Sequence, residues 1–327
     1  MPTALVTHLA CLEHDTGHGH PERPDRLRAV HAALDVALFP DLVRVEAGCA
    51  SPEDLMRVHD QDYVERILKL RPEPGKLIAL DADTMVSTGS VEAALRAAGA
   101  AIEAVDLVMR GDANSVFVAT RPPGHHAEPG RAMGFCLFNN VAVAAHHARA
   151  QWGLKRIAVA DFDVHHGNGT QTEFWNEPEL FFASSHQSPC YPDTGFSDER
   201  GIANNIVNVR LPPGSGSLEF RRAWSETLLP AIDEFGPELL IISAGFDAHR
   251  DDPLAQLELE VDDYSWITDE LGELALRHCS GRIVSLLEGG YDLDALAKSS
   301  AAHVTALEKC SVSLSKSLAR TGPMPLT

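Results

Sequence analysis

Cysteine is scarce in this chain, since six of the 327 residues are Cys and no two of them form a C-x-x-C pair. A small secreted scaffold held by disulfides is therefore excluded, and a reducing, cytoplasmic compartment is expected. No apolar stretch reaches the ~18 residues that a membrane span needs. The segment from Met1 to Asp15 has a short apolar run without a basic leader. We therefore expect a soluble protein with neither a signal peptide nor a membrane anchor.

Basic residues are also few, because 27 Lys and Arg stand against 47 Asp and Glu and leave a formal charge of −20. An acidic surface repels phosphate backbones, which argues against direct nucleic-acid binding and favours a basic peptide or an amine as the partner. Low-complexity tracts, internal repeats and linker-like segments are absent from the sequence. The hydrophobic content of 44% is that of a globular chain, and we expect residues 1–327 to form one domain.

Short apolar runs rich in Val and Ile alternate with longer amphipathic stretches, which is typical of an α/β fold with a parallel sheet between two layers of helices. The predicted strands are Ser115–Thr120, Ile157–Ala160, Leu239–Ser243 and Arg282–Leu287. The predicted helices are Pro24–Ala37, Ser90–Arg110, Asn139–Trp152, Ser217–Phe235 and Asp262–His278. In the second helix, Ser90 is placed to cap the first turn, Glu92 lies in that turn and Gly111 follows the last turn.

Four unusual polar motifs lie at the ends of the four predicted strands. In chain order they are RPPGHH, DFDVHHGNG, AGFDAH and EGGYD. Ligands of open parallel sheets bind beyond the carboxyl ends of the strands. The four motifs are therefore predicted to meet in one site.

Asp161, Asp163 and His165 are spaced two residues apart on a segment read as extended, so their side chains are predicted to point to the same side. Zinc accepts such nitrogen and oxygen ligands, and a catalytic site needs a third protein ligand and an open position. Asp247 is the choice for that ligand, because it follows a buried strand through a turn at Gly245. The alternative is that the two acids cap turns and that the histidine is a satisfied core residue.

His125 and His126 follow a proline-stiffened loop, where they could serve as a general base and its neighbour beside a metal-activated water. A solvated loop with an accidental histidine pair is the alternative. Tyr291 follows Gly289 and Gly290, whose lack of side chains lets the backbone approach a ligand closely. Its phenol is a candidate oxyanion stabiliser, although a tyrosine after Gly-Gly also occurs as a packing residue.

Taken together, these motifs resemble the zinc-dependent histone deacetylase family, in particular its class II and bacterial histone deacetylase-like amidohydrolase branch. The matching stretches cover almost the whole chain and read HPERPDRL, RPPGHHAEPGRAMGFCLFNN, DFDVHHGNGTQ, SAGFDAHRDDPL and EGGYDL. The resemblance implies an arginase-like fold, with one parallel sheet of about eight strands and helices on both faces. It also implies hydrolysis of an acetylated amine, which releases acetate and the free amine.

The resemblance assigns a role to each matching residue. It implies that the zinc ligands are Asp163, His165 and Asp247. His126 matches the general base and acid, and Tyr291 matches the phenol that polarises the acyl carbonyl. A potassium ion beneath the zinc is implied at Asp161, Asp163, His165, Ser184 and Ser185.

Three further matches concern the histidine pair. His125 matches the partner histidine, which Asp161 buttresses. Asn168 stands where members of the other main branch carry Asp beside the base. Because an amide cannot stabilise an imidazolium by charge, the base is expected to be less basic here.

For substrate binding, the resemblance implies that Phe135 and Tyr191 line the acyl tunnel, with Tyr in place of the usual Phe. Asp83 matches a rim aspartate that grips the substrate backbone, although it could equally cap a turn. Gly134 and Gly289 are predicted to complete the substrate-binding surface.

Leu254 matches a rim position where polyamine-selective eukaryotic relatives place a glutamate. Its apolar side chain favours acetyl-lysine over acetylpolyamine, whereas the acidic surface also suits polyamines.

A catalytically silent acetyl-lysine binder is a further alternative, yet no ligand, base or phenol is missing. An arginase-type enzyme with two manganese ions would need more bridging acids, and Asn168 stands where one would help. Iron in place of zinc, the acyl length preferred and a homo-oligomer remain open.

Overall fold

A computed structural model of the protein describes residues 2–321, with side chains described for residues 2–311. The predicted domain boundaries, 1 and 327, lie outside the described residues, so the extent of the domain stays a prediction. Within the described part the strands are β1 Thr3–Thr7, β2 Val43–Glu46, β3 Ile78–Ala79, β4 Met85–Val86, β5 Ser115–Val118, β6 Ile157–Asp161, β7 Leu180–Gln187, β8 Ile206–Leu211, β9 Leu239–Ala244 and β10 Ile283–Leu287.

Eight of these strands form one parallel sheet, which confirms the predicted parallel sheet of about eight strands. Their order is β2-β1-β5-β10-β9-β6-β7-β8. The short strands β3 and β4 pair antiparallel outside it. The helices are α1 Pro24–Ala33, α2 Pro52–Leu55, α3 Gln61–Leu68, α4 Ser90–Arg110, α5 Asn140–Trp152, α6 Asn168–Phe174, α7 Ser217–Ala223, α8 Leu229–Phe235, α9 Val261–His278 and α10 Leu293–Thr321. None of the described helices is both long enough and apolar enough to cross a membrane.

Helices cover both faces of the sheet, and alternate residues of each central strand supply two separate cores. Val159 of β6 packs on the side of α4 and α5. Its neighbour Ala158 packs on the side of α1 and α9, with Leu27 and Leu271. A parallel sheet buried in this way explains why its strands read as nearly continuous apolar runs.

The predicted strands and helices are confirmed with local corrections. Helix α1 ends at Ala33 rather than at residue 37, because the carboxylate of Asp35 accepts the N–H of Ala37 and turns the chain. Ser90 does not cap α4; Gly89 holds the cap position, and the Ser90 hydroxyl accepts the N–H of Ser87 at 2.7 Å.

Two other expectations concern helix ends and continuity. Gly111 follows α4 in the left-handed conformation, with φ of 79°, as predicted. The predicted helix Ser217–Phe235 is interrupted by a π turn at Trp224–Leu228. Pro230 follows this turn and has no N–H with which to continue the ladder of an α-helix. All six cysteines are free, in agreement with the exclusion of a disulfide scaffold.

The four polar motifs follow β5, β6, β9 and β10, which are neighbours at the centre of the sheet in the order β5-β10-β9-β6. Their carboxyl ends therefore lie at one edge of the sheet, side by side. This arrangement confirms that the four motifs meet.

Candidate active site

Two carboxylates and one imidazole meet where β6 and β9 end. Nδ1 of His165 lies 3.0 Å from Oδ2 of Asp247 and 3.2 Å from Oδ1 of Asp163. The candidate ligand atoms of the three buried residues lie within 4.8 Å of one another. They are the three residues that the sequence nominates as metal ligands.

The surrounding backbone orients the two carboxylates. Asp163 accepts the N–H of Gly289 at 2.8 Å, and Asp247 accepts the N–H of Val164 at 2.9 Å. A Cβ atom at Gly245 would lie 2.0 Å from the Asp163 carboxylate, and a Cβ at Gly289 would lie 2.0 Å from that of Asp247. Glycine is therefore required on both sides of the acids for steric reasons.

The chemistry of this group fits a divalent cation. Burial lowers the pKa of His165, but hydrogen bonds to Asp163 and Asp247 raise it well above its ordinary value. The two acids thus favour a positive charge at the imidazole, and a metal that replaces the proton supplies the same compensation. One nitrogen and two carboxylate oxygens form a ligand set that zinc accepts.

Asp161 bonds to the backbone of Asp163 and to His125, one member of the histidine pair. The chain bends after Asp161 instead of continuing as a strand. The alternation expected for an extended segment therefore ends there, and Asp163 and His165 group with Asp247 rather than with Asp161. One carboxylate oxygen of Asp161 accepts the N–H of Asp163 at 3.1 Å, and the other lies 3.0 Å from Nδ1 of His125.

The two histidines have different partners and opposite pKa shifts. Burial lowers the pKa of His125, yet the carboxylates of Asp163 and Asp161 raise it to about 10. Nδ1 of His126 lies 2.8 Å from the side-chain oxygen of Asn168, a neutral partner. Burial, followed by the charge of His125, holds the pKa of His126 well below its ordinary value. His126 is thus the unprotonated member of the pair at neutral pH.

Tyr291 closes the opposite side of the site. Its ring lies edge-on to that of Phe135, with 5.8 Å between centroids, and the guanidinium of Arg26 lies 4.8 Å from its centroid. Burial raises the pKa of the phenol well above its ordinary value, although Arg26 opposes this. The phenol is therefore a neutral hydrogen-bond donor.

A cavity of about 230 Å³ opens above these groups. Its lining residues are Asp83, His126, Gly134, Phe135, His165, Tyr191, Leu254 and Tyr291. The structure thus brings most of the nominated substrate-binding residues to one cavity. Gly289 is not among the lining residues, and its N–H is bonded to Asp163.

The wall around Phe135 depends on unusual backbone. Phe135 has φ of 68° and Gly134 has φ of 55°, so both lie in the left-handed region. A Cβ at Gly134 would lie 2.4 Å from the ring of His126. The tunnel wall thus packs directly against the histidine. The ring of Tyr191 flanks the same histidine at 5.2 Å and is 40% exposed.

Asp83 lies at the rim of the cavity, where burial and the neighbouring Asp81 raise its pKa.

On the far side of the acids, Asp161 pairs in register with Ser184 of β7. The hydroxyl of Ser184 lies 2.9 Å from Nδ1 of His186, and that of Ser185 accepts the Trp224 indole N–H at 2.9 Å. Among the residues nominated for potassium, Asp161 thus lies beside Ser184 on the neighbouring strand, whereas Asp163 and His165 follow β6 in the bend. Both serine hydroxyls have protein partners.

Comparison with known proteins decides the family. The histone deacetylase domain matches residues 20–307 of this chain. The chain belongs to the histone deacetylase family. As a member of that family it is a deacetylase or amidohydrolase by class, and the resemblance seen in its motifs is confirmed.

Relatives of this family member include bacterial and archaeal proteins. A histone deacetylase-like amidohydrolase of Pseudomonas aeruginosa is 41% identical over 280 residues, which cover 84% of this chain and 73% of that protein. A probable deacetylase of Archaeoglobus fulgidus is 39% identical over 300 residues, which cover 90% and 82%. The crystal structure of the HDA15 HD domain superimposes with a TM-score of 0.86 at 36% identity and covers 94% of this chain and 90% of its own. The arginase-like deacetylase fold is therefore shown.

Two sets of buried charges in this deacetylase family member were not assigned a role from the sequence. The carboxylate of Glu288 accepts the N–H groups of Gly124 and His125, at 2.7 and 3.1 Å, and so holds the histidine loop. Arg26 donates to the carbonyls of Glu288 and Gly290, both at 2.5 Å, and to Glu22 at 3.1 Å. The position of both residues inside the motifs HPERPDRL and EGGYDL was the available signal.

Proposed function

We propose that this chain is a zinc-dependent amidohydrolase that removes acetyl or other short acyl groups from the lysine side chains of proteins or from related amines. The proposal is carried by one juxtaposition: Asp163, His165 and Asp247 form one buried group, and His165 of that group lines the same cavity as His126 and Tyr291. A metal-binding group, a base and a neutral phenol are the parts that acyl transfer to water needs.

In this proposal Asp163, His165 and Asp247 hold the zinc. When bound, zinc acts as a Lewis acid toward the acyl carbonyl and lowers the pKa of water. The phenol of Tyr291 donates a hydrogen bond to the acyl oxygen, where negative charge develops.

His126 takes the proton of the attacking water in the proposed reaction. Its Nδ1–H donates to Asn168 at 2.8 Å, so Nε2 carries the free lone pair. The side-chain N–H of Asn168 donates to Glu128 at 2.8 Å, which fixes the amide with its oxygen toward His126. Asp161 holds His125 as an imidazolium beside the base. A protonated histidine then delivers a proton to the leaving amine.

Phe135 and Tyr191 flank the acyl chain in this proposal, and Asp83 accepts a hydrogen bond from the substrate at the rim. Leu254 lines the same cavity without a charge, which favours acetyl-lysine. Acetylpolyamine is the second candidate, favoured by the rim carboxylate of Asp83 and the net charge of −20.

Potassium is proposed beneath the zinc, with oxygen ligands from Asp161, Asp163, His165, Ser184 and Ser185. The register that places Asp161 beside Ser184 supports it, as do the hard oxygen ligands that such an ion prefers. The compartment and the lack of direct nucleic-acid binding stay predictions.

Metal analysis combined with a fluorogenic acetyl-lysine assay tests the proposal. We expect about one zinc per chain and turnover that a chelator abolishes and added zinc restores. Tyr291→Phe should lower turnover about 100-fold at unchanged metal content, because one oxyanion donor is lost. Wild-type turnover in that variant would remove Tyr291 from the mechanism. A metal-loaded protein that binds acetyl-lysine but turns over neither acetyl-lysine nor acetylpolyamine would instead be a silent binder.

A further inference from the structure

The loop that carries Tyr291 starts with two residues that have no side chains. It begins with Gly289 and Gly290, and φ of 123° at Gly290 is a conformation that only glycine adopts readily. The position of the phenol must therefore be set by hydrogen bonds to the backbone of this loop and by the packing of the ring.

One buried carboxylate supplies these bonds on the side opposite Arg26. Oδ2 of Asp252 accepts the N–H of Tyr291 at 2.6 Å and the N–H of Asp292 at 3.2 Å. Its other oxygen accepts the N–H of Leu254 at 3.1 Å. Asp252 is 6% exposed, so both of its oxygens are used for backbone donors of two separate loops.

Burying this acid is costly, which argues that its bonds matter. Burial, followed by the charge of Asp247, raises the pKa of Asp252 to about 7, and the three N–H donors oppose this rise. A buried carboxylate is retained in a fold when hydrogen bonds compensate its desolvation. Here two of the three N–H donors belong to Tyr291, which is proposed to polarise the substrate, and to its neighbour Asp292. The third donor belongs to Leu254, which lines the substrate cavity.

We propose that Asp252 is a positioning residue that fixes the phenol of Tyr291 over the acyl carbonyl and couples it to the rim residue Leu254. This inference rests on the proposed function, because it assigns Asp252 to the same reaction. Asp252 belongs neither to the candidate metal-ligand group nor to the lining of the cavity, and it acts through the backbone of Tyr291. Displacing a catalytic group by about 1 Å can cost as much as ~100-fold in rate.

A merely structural role is the competing explanation, since Tyr291 and Asp292 directly precede α10. Asp292 itself accepts the N–H of Ala295 at 2.8 Å and so caps that helix without Asp252. A double-mutant cycle separates the two roles, because an effect that passes through the phenol disappears when the phenol is removed.

The experiment compares Asp252→Asn with Asp251→Asn in the full-length zinc-loaded protein. Asp251→Asn removes the same charge at the position next to Asp252, and the side chain of Asp251 is 68% exposed. Asparagine cannot accept on both sides, since its NH₂ group would face backbone N–H donors. We expect Asp252→Asn to lower kcat about tenfold or more with little change in KM, and to lower it less than about twofold further in the Tyr291→Phe background. Asp251→Asn should match the wild type.

Amide hydrogen exchange of the metal-free protein gives a second readout that needs no activity. The N–H groups of Tyr291 and Asp292 should exchange faster in Asp252→Asn and at the wild-type rate in Asp251→Asn. If Asp252→Asn does not fold, Asp252→Glu keeps the acceptor one methylene further away and should show the same kcat loss and the same dependence on Tyr291.

Two outcomes would overturn the inference: unchanged kcat and exchange in Asp252→Asn, or an equal loss of kcat with and without the phenol. If the wild type has no deacetylase activity, the proposed function fails, and the exchange measurement still shows whether Asp252 holds the loop. The two failures are thus distinguishable.

Discussion

Nδ1 of His126 donates to the side-chain oxygen of Asn168 over 2.8 Å, so the proposed base has a neutral partner. A carboxylate at this position would stabilise the imidazolium and raise the pKa of His126. The amide also donates to Glu128, which would repel a second carboxylate. The pH dependence of the enzyme can therefore be changed at two neighbouring positions.

We predict that Asn168→Asp combined with Glu128→Gln moves the acidic limb of the kcat/KM profile upward by about one pH unit. The limb moves to higher pH because the base works only when unprotonated, and a raised pKa of His126 keeps it protonated to higher pH. Glu128→Gln alone is the control and should leave the limb in place. An unmoved limb in the double variant would show that His126 is not the titrating base.

Leu254→Glu is predicted to shift preference toward acetylated polyamines. Leu254 lines the cavity, so a carboxylate there would meet the second ammonium of a polyamine. The measurement is the ratio of kcat/KM for an acetyl-lysine peptide to that for acetylputrescine or acetylspermidine. Leu254→Gln has a similar shape without charge and is the matched control. An unchanged ratio would refute the argument that the residue at position 254 sets the preference between acetyl-lysine and acetylpolyamine.

Gly289→Ala is predicted to weaken metal binding by about 10- to 100-fold. The new Cβ would lie 2.0 Å from Oδ2 of Asp247 and 2.6 Å from Oδ2 of Asp163, so the acids must shift. Competition with a zinc chelator measures the affinity. Gly48→Ala adds a Cβ where nothing lies within 4 Å and serves as the control. Equal affinities in both variants would contradict the steric requirement.

Glu22→Gln is predicted to destabilise the fold in a pH-dependent way. Burial raises the pKa of Glu22, but Arg121, His14 and Arg26 lower it from 4.5 to about 2. A depressed folded-state pKa contributes stability above pH 4.5 that is lost as pH falls toward 2. By linkage this contribution is about 3 kcal/mol at neutral pH.

Urea unfolding of the wild type and Glu22→Gln, near pH 7 and near pH 3, checks this. The difference in unfolding free energy should shrink at the lower pH. Glu65→Gln breaks an exposed ion pair with Lys69. Its unfolding free energy should stay close to that of the wild type at both pH values. A difference that is independent of pH would assign the effect of Glu22 to packing.

Much of the fold follows from local patterns in the sequence. The runs that became β9 and β10 are apolar and bounded by turn residues, and α4 was predicted with its observed limits because Gly111 marks its end. The grouping of Asp163 with His165 is also local, since they lie two positions apart with only Val164 between them. Local patterns did not predict the end of α1, where the Asp35 side chain turns the chain. They also did not predict the π turn before Pro230, a residue that lacks an N–H.

The sequence by itself determined the alternation of strands and helices, the four polar motifs at the strand ends and the grouping of Asp163 with His165, because these depend on periodicity and on neighbours along the chain. Only the tertiary structure decided which backbone groups the buried charges hold. Asp252 lies 39 residues from Tyr291, and Glu288 lies 164 residues from Gly124. Such partners are chosen by how loops pack at the edge of the sheet, where each buried carboxylate must find N–H donors to compensate the loss of water.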